Sequence, residues 1–217
     1  MSAYGDFGPP RLAQGSPDFP PGQPYPDRGA AVFVDTSTVL FDSYRLPLLS
    51  CAQLGHLNVV WSPYVAAEVA RVSTREYVRR VLRTVAAEPT SRDQIVELVN
   101  DAMNRVRQSI DSAIDALEQY WYSPDPNVRR QVETLAAGSP LEDEKDVPIL
   151  AGALASGCRY LLTTDTKAFP HGVEWQNIRF WHPDTFLTAF FMNFPDGYVD
   201  VRLDLEDIVQ TSPLLPR

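Results

Sequence analysis

Between Asp146 and Asp165 the chain has one economical course, out along a short helix and back along a buried strand. Pro148 stands in the first helical turn, where its missing N–H costs nothing, and Asp146 occupies an N-cap position before it. Ile149, Leu150, Ala153 and Leu154 recur at helical spacing, and Gly157 suits the turn that ends the helix. Tyr160 to Leu162 then reads as a strand, closed by Thr163, Thr164 and Asp165. About ten helical residues rise about 15 Å. About six extended residues return roughly 20 Å. Asp146 and Asp165 are therefore expected on one edge of the domain that contains them.

The rest of the chain repeats this logic. Ala31 to Val34 is a buried-type strand ended by Asp35, and an acid just past a core strand occupies a position that α/β folds use for chemistry. The same acid suits a turn or a helix N-cap. A first helix is predicted from Arg45 to Leu54, closed by Gly55, and a second strand from Leu57 to Trp61. Ser62-Pro63 is an N-cap followed by proline at the first helical position. Glu68 falls in that helix among Val65, Ala66, Ala67, Val69 and Ala70, so it needs either solvent or a partner. Ser73-Thr74-Arg75-Glu76 matches a capping box and predicts a helix restarted at a new angle. Its core stripe would be Val78, Val81, Leu82 and Val85. Arg75, Arg79 and Arg83 recur at four-residue steps on another face, with Arg80 beside them. A charged stripe is ordinarily a solvated face; one of a single sign on an acidic protein is also a candidate phosphate-contact surface.

Beyond Pro89, apolar residues keep one helical face from Ile95 through Leu98, Val99, Met103, Val106 and Ile110 to Leu117 and Trp121, which marks core or a partner groove. A short helix follows from Asn127 to Ala136. Past Asp165, Ile178 to Trp181 is a further core strand, and His182-Pro183-Asp184 starts a helix reaching about Asn193. Residues 199–205 alternate apolar and charged and predict a half-buried strand, suited to a sheet edge or to the subunit contact of a homodimer. The expected organisation is a Pro/Gly-rich disordered tail at 1–29, a catalytic-type domain at 30–193 and a C-terminal extension at 194–217. The tail carries seven prolines and five glycines without hydrophobic periodicity.

A chain of 217 residues, 44% hydrophobic, can bury one good core. Its net charge of −9 argues against nucleic-acid binding through bulk charge, while leaving room for a local basic patch. Cys51 and Cys158 are too few for a disulfide framework and read as reduced core thiols. No apolar run is long enough to span a bilayer and no signal peptide opens the chain, so a cytoplasmic protein is expected.

Strands followed by helices, repeated, give an α/β fold with three layers, a mostly parallel central sheet flanked by helices. Asp35 and Asp165 then end core strands on one edge, Asp146 opens a helix there, and Glu68 is an open question. Converging carboxylates repel one another and raise each other's pKa unless a cation is present. All-oxygen donors with no imidazole at ligand spacing suit Mg²⁺ or Mn²⁺ rather than zinc. Such ions typically act on phosphate esters, activating water and neutralising the in-line transition state.

These residues also carry a family resemblance. Val32-Phe33-Val34-Asp35-Thr36-Ser37 resembles the opening strand of PIN-domain nucleases, and Ser62-Pro63 to Glu68 resembles their second acidic motif. Asp143-x-x-Asp146 with its helix, then Leu161-Leu162-Thr163-Thr164-Asp165, is similar to the paired motifs that close the site of that family. The resemblance covers residues 31–187. It implies a PIN-like fold and Asp35, Glu68, Asp146 and Asp165 as catalytic, metal-ligand positions, with Asp143 an auxiliary acid. Thr163 matches a hydroxyl residue that often precedes the last acid. It further implies a Mg²⁺- or Mn²⁺-dependent ribonuclease with RNA as substrate, and, as in bacterial relatives, a toxin with an antitoxin protein as partner. Two features depart from the pattern. Lys167 stands where many relatives carry another acid, and the helix at 92–121 with the C-terminal segment makes the chain larger than a minimal toxin. A haloacid-dehalogenase-type phosphotransferase needs a second acid where Ser37 stands. The other alternative is a PIN-like scaffold that binds RNA or protein without cutting.

Overall fold

The computed structural model describes residues 25–85, 91–117, 126–138, 141 and 143–211. Five strands form one sheet: β1 (Ala31–Val34), β2 (Asn58–Val60), β3 (Tyr160–Leu162), β4 (Glu174–Trp175) and β5 (Ile178–Trp181). Their order is β2-β1-β3-β5-β4, with β2, β1, β3 and β5 parallel and β4 antiparallel to β5. Flanking helices are α1 (Thr36–Val39), α2 (Asp42–Gln53), α3 (Pro63–Val85), α4 (Arg92–Leu117), α5 (Pro126–Ala137), α6 (Val147–Ala155), α7 (Pro183–Asn193) and α8 (Pro195–Thr211). The three-layer α/β architecture with a mostly parallel sheet is the one expected from the sequence.

Tyr160, Leu161 and Leu162 are all buried, as are Val32, Phe33 and Val34, because helices cover the sheet and leave no solvent face to alternate with. In register, Val34 faces Leu162 and Leu162 faces Trp181, so the residues that follow these strands emerge side by side. α6 lies close on β1. A Cβ at Gly152 would stand 2.6 Å from Phe33 Cζ, so only glycine permits that approach. Gly157 ends the helix at φ +68°, the left-handed turn expected there. The β4–β5 hairpin closes through Gln176 and Asn177, at φ 51° and 65°, a two-residue turn whose twist matches the strands.

Three expectations are corrected. α3 runs unbroken through Ser73-Thr74-Arg75-Glu76, because the Thr74 hydroxyl donates to the Ala70 carbonyl one turn back instead of capping a new helix. Leu82, expected in the core stripe of that helix, is 43% exposed. Residues 199–205 are helical, within α8. The alternation Val199, Val201, Leu203, Leu205 splits into two pairs four residues apart. Val201 is buried and Leu205 packs on the core, while Val199 and Leu203 point outward. α1 and β4 were not expected from the sequence, and the remaining differences are at boundaries. α2 begins three residues before Arg45 and accommodates Pro47, and β2 is shorter than Leu57–Trp61.

α4 packs against α3, yet Leu98 and Met103 of its apolar face remain 45% and 46% exposed. The predicted tail over residues 1–24, Trp121, and the side chains of Arg80, Val81, Val85, Val106, Ile110 and Leu117 lie outside the described residues. Among the described residues no helix is long and apolar enough to cross a membrane.

Candidate active site

Asp35 follows β1 and is 4% exposed. It caps α1 by accepting the Thr36 backbone N–H, and it receives Ser37 Oγ at 2.9 Å and Thr163 Oγ1 at 2.8 Å. Burial raises its pKa above the ordinary carboxylate value. Hydrogen bonds from Thr163, Ser37 and the Thr36 backbone pull the other way, and Glu68 pushes it up further.

Thr163 is fully buried at the end of the neighbouring parallel strand, so the register of β1 and β3 brings its hydroxyl to Asp35. The same hydroxyl accepts the Asp165 N–H at 3.0 Å. One side chain thus ties the two strand-end acids together. Asp165 is exposed and organises its own loop, its Oδ1 accepting the backbone N–H groups of Lys167 and Ala168 at 3.0 and 3.1 Å. Lys167, the departure from the family pattern, meets Asp165 through its backbone in this way.

Glu68 turns inward from α3. Its Oε2 accepts Thr36 Oγ1 at 2.7 Å, and its Oε1 accepts the Arg71 guanidinium at 3.3 Å. That resolves whether this acid sits in solvent or has a partner: it has Thr36, one residue after Asp35.

Asp146 opens α6, with Pro148 in the first turn as expected, but its carboxylate makes no capping hydrogen bond. The capping falls to Asp143, which accepts the Lys145 N–H at 3.0 Å and heads a 3-10 turn over Glu144–Asp146. Asp146 thus occupies the expected N-cap position, with its carboxylate uncommitted to the helix. Burial pushes the Asp146 pKa up to about 6, and Asp143, Asp165, Asp35 and Glu68 all add to it. Four other acids within Coulombic reach of one carboxylate is the electrostatic signature of convergence.

Three contributors escaped the sequence reading as site residues. Thr36 and Ser37 hold the carboxylates of Glu68 and Asp35. Tyr64 donates its hydroxyl to the Lys145 carbonyl at 3.1 Å, pinning the 3-10 turn to α3 one helical turn before Glu68. Burial raises the Tyr64 pKa, and the carboxylates of Glu68 and Asp146 raise it further. The only signals available were adjacency to Asp35 and the four-residue step from Tyr64 to Glu68. The arginine stripe lies apart from this cluster: Arg75, Arg79 and Arg83 are exposed on α3, and Arg79 donates to Glu76 at 2.6 Å.

The donors at this edge are carboxylate oxygens, the set that hard divalent cations prefer. As the side chains stand, no three Asp, Glu, His or Cys residues among those described are grouped closely enough to hold a metal ion. The residues fit such an ion by donor type.

A comparison with curated proteins finds no match. A family model described as PIN domain matches residues 30–167, more than half of the chain, and spans all four acids and the strands that carry three of their elements to one edge. The chain belongs to the PIN-domain family, whose members are in general nucleases that typically use divalent metals.

Proposed function

We propose that the protein is a Mg²⁺- or Mn²⁺-dependent ribonuclease that hydrolyses RNA phosphodiester bonds, with Asp35, Glu68, Asp146 and Asp165 as its metal-holding acids. The observation that carries this reading is geometric: the Thr163 hydroxyl donates to Asp35 and accepts the Asp165 N–H, and Glu68 accepts the Thr36 hydroxyl beside them. The raised pKa of Asp146, to which Asp143, Asp165, Asp35 and Glu68 all contribute, agrees with it. Evolution seldom gathers that much like charge on a sheet edge without a cation to offset it. A divalent ion held there supplies the positive charge that offsets the carboxylates and the phosphate in the transition state.

The chain's own residues do the rest. Thr163 and Ser37 orient Asp35, and Thr36 orients Glu68, so the buried acids present fixed oxygens. Tyr64 keeps the Asp146 turn against α3, and Asp143 shapes that turn. Asp146, with its pKa pushed up to about 6, is a carboxylate at neutral pH, and a cation would have to displace its proton only at more acidic pH. Exposed Arg75 and Arg83 are the phosphate-contact candidates, with Arg79 already partnered by Glu76. As a toxin the enzyme would be held inactive by an antitoxin protein, and a homodimer is the assembly proposed with it.

A second reading, a PIN-like scaffold that binds RNA or protein without cutting, draws support from one observation. Asp35 and Glu68 are each already satisfied by protein hydroxyls. Cleavage of single-stranded RNA separates the two. The ribonuclease cuts with Mn²⁺ or Mg²⁺, stops with EDTA, and loses cleavage in Asp35→Asn and Asp146→Asn with the fold intact. Cutting at the wild-type rate by either variant would remove these acids from the site.

A further inference from the structure

Beside the acids, four rings form a ladder that the reading above does not use. Phe41 and Tyr44 meet edge to face with centroids 6.0 Å apart, Tyr44 and His182 at 5.6 Å, and His182 and His171 at 5.4 Å. These are the spacings and angles at which aromatic pairs attract. The ladder stands on the same sheet edge as the acids. His182 follows Trp181, whose partner on β3 is Leu162, so it emerges level with Thr163. His171 Nε2 lies 3.1 Å from the Thr163 carbonyl, and the Thr163 hydroxyl reaches Asp35. One residue therefore joins the last ring to the first acid.

Tyr44, His171 and His182 are partly buried, and Phe41 stands outermost. His182 Nδ1 accepts the Asp184 N–H as the cap of α7, which fixes its plane. The Phe41 carbonyl accepts the N–H groups of Tyr44 and Arg45 at 3.0 and 2.9 Å, which fixes the backbone at the ladder's outer end. The Phe41 ring itself is 53% exposed. A rigid aromatic face costs little conformational entropy to bind against, and every nucleobase has a face to lay on it.

Charge decides what such a face is for. Without a cation the edge carries five acids and the chain a net charge of −9, so the phosphates of a strand gain nothing there in the metal-free protein. Affinity at that edge has to come from an uncharged part of the nucleotide. We infer that Phe41, backed by Tyr44, His182 and His171, is a stacking platform for an unpaired base of the RNA strand, next to the phosphate that lies over the acids. This assignment rests on the ribonuclease reading for the identity of the strand, and its test does not require cleavage.

The test uses the full-length protein in EDTA, so that no strand is cut, and a short single-stranded RNA bearing one fluorescent adenine analogue. An otherwise identical RNA with abasic positions is the control. Wild type should quench the analogue and bind the base-bearing RNA about tenfold more tightly than the abasic one. Phe41→Ala and Phe41→Leu should both lose that margin, and Phe41→Tyr should keep it. A Leu variant with the wild-type margin, or equal affinity of wild type for both RNAs, would overturn the platform. Cleavage of the same RNAs with Mn²⁺ is scored separately. A wild type that quenches and discriminates but does not cut sinks the ribonuclease reading and leaves the platform standing.

Discussion

Three hydrogen bonds reach Asp35, each favouring its charged form, and burial still outweighs them. The balance rests largely on Thr163, whose hydroxyl serves Asp35 and Asp165 at once from a fully buried position. Thr163→Val keeps the shape and removes both bonds. It should cost about 1–3 kcal/mol of stability, because the buried Asp35 carboxylate and the part-buried Asp165 N–H each lose a partner. Metal affinity or activity should fall about 10- to 100-fold, the usual penalty for removing an outer support of a ligand. Because a bond that lowers the Asp35 pKa is gone, the acidic limb of the pH–rate profile should move to higher pH. An unmoved limb would mean that Asp35 is not the group titrating there. At this scale Asp35, Asp165 and Asp146 stood out in the sequence because they end strands or open a helix, whereas Glu68, inside α3, and Thr163 were placed in the site only by the resemblance. It hid the partners: Thr36 meets Glu68 from 32 positions away, and Tyr64 meets Lys145 from 81. No local spacing encodes such contacts.

At the scale of elements, β1, β3 and α6 were legible because burial on both sides makes them continuous apolar runs bounded by Gly157 or by acids, whereas two-residue β4 carries no such run. What misled was a pattern that two periods share. Val199 to Leu205 fits an alternating strand and also two helical pairs, and packing of Val201 and Leu205 against the core decides for the helix. Ser73-Thr74 failed likewise, since a capping hydroxyl can bond backwards within a continuing helix. Placement of α6 depends on Gly152 against Phe33. Gly152→Ala should cost about 1–3 kcal/mol as an overpacked contact. Either the Phe33 ring or the helix must yield, and a shifted helix carries Asp146 with it. Thermal melts should therefore show a lower midpoint for the variant and a smaller stabilisation by Mn²⁺ than wild type shows. A variant as stable as wild type would mean that this contact gives way freely.

At the scale of the whole molecule, the proposed ribonuclease is an acidic chain, and its attraction for phosphate has to come from residues other than the acids proposed to hold its cation. Arg75, Arg79 and Arg83 lie exposed further along α3, about two to four turns beyond Glu68 on the side of the helix that carries it. Changing all three to glutamine should weaken RNA binding and flatten the plot of log affinity against log salt by roughly 2, with the smallest share from Arg79. Unchanged affinity at low salt would return the stripe to a solvated face. The central claim is that the acids share one cation, and protein stability reports it without any substrate. Asp146 ionises in the folded state only near pH 6, above its unfolded value of 3.8. A raised folded-state pKa means that the metal-free protein loses stability as pH climbs from the unfolded value through the folded one, and the loss is complete at pH 7. Asp146→Asn removes that loss. The direct measurement is four melting curves at pH 7, wild type and Asp146→Asn, each in EDTA and in millimolar Mn²⁺. The account predicts a higher midpoint for the variant in EDTA, and a Mn²⁺-induced rise that is large in wild type and small in the variant. Equal Mn²⁺-induced rises in the two proteins would contradict it.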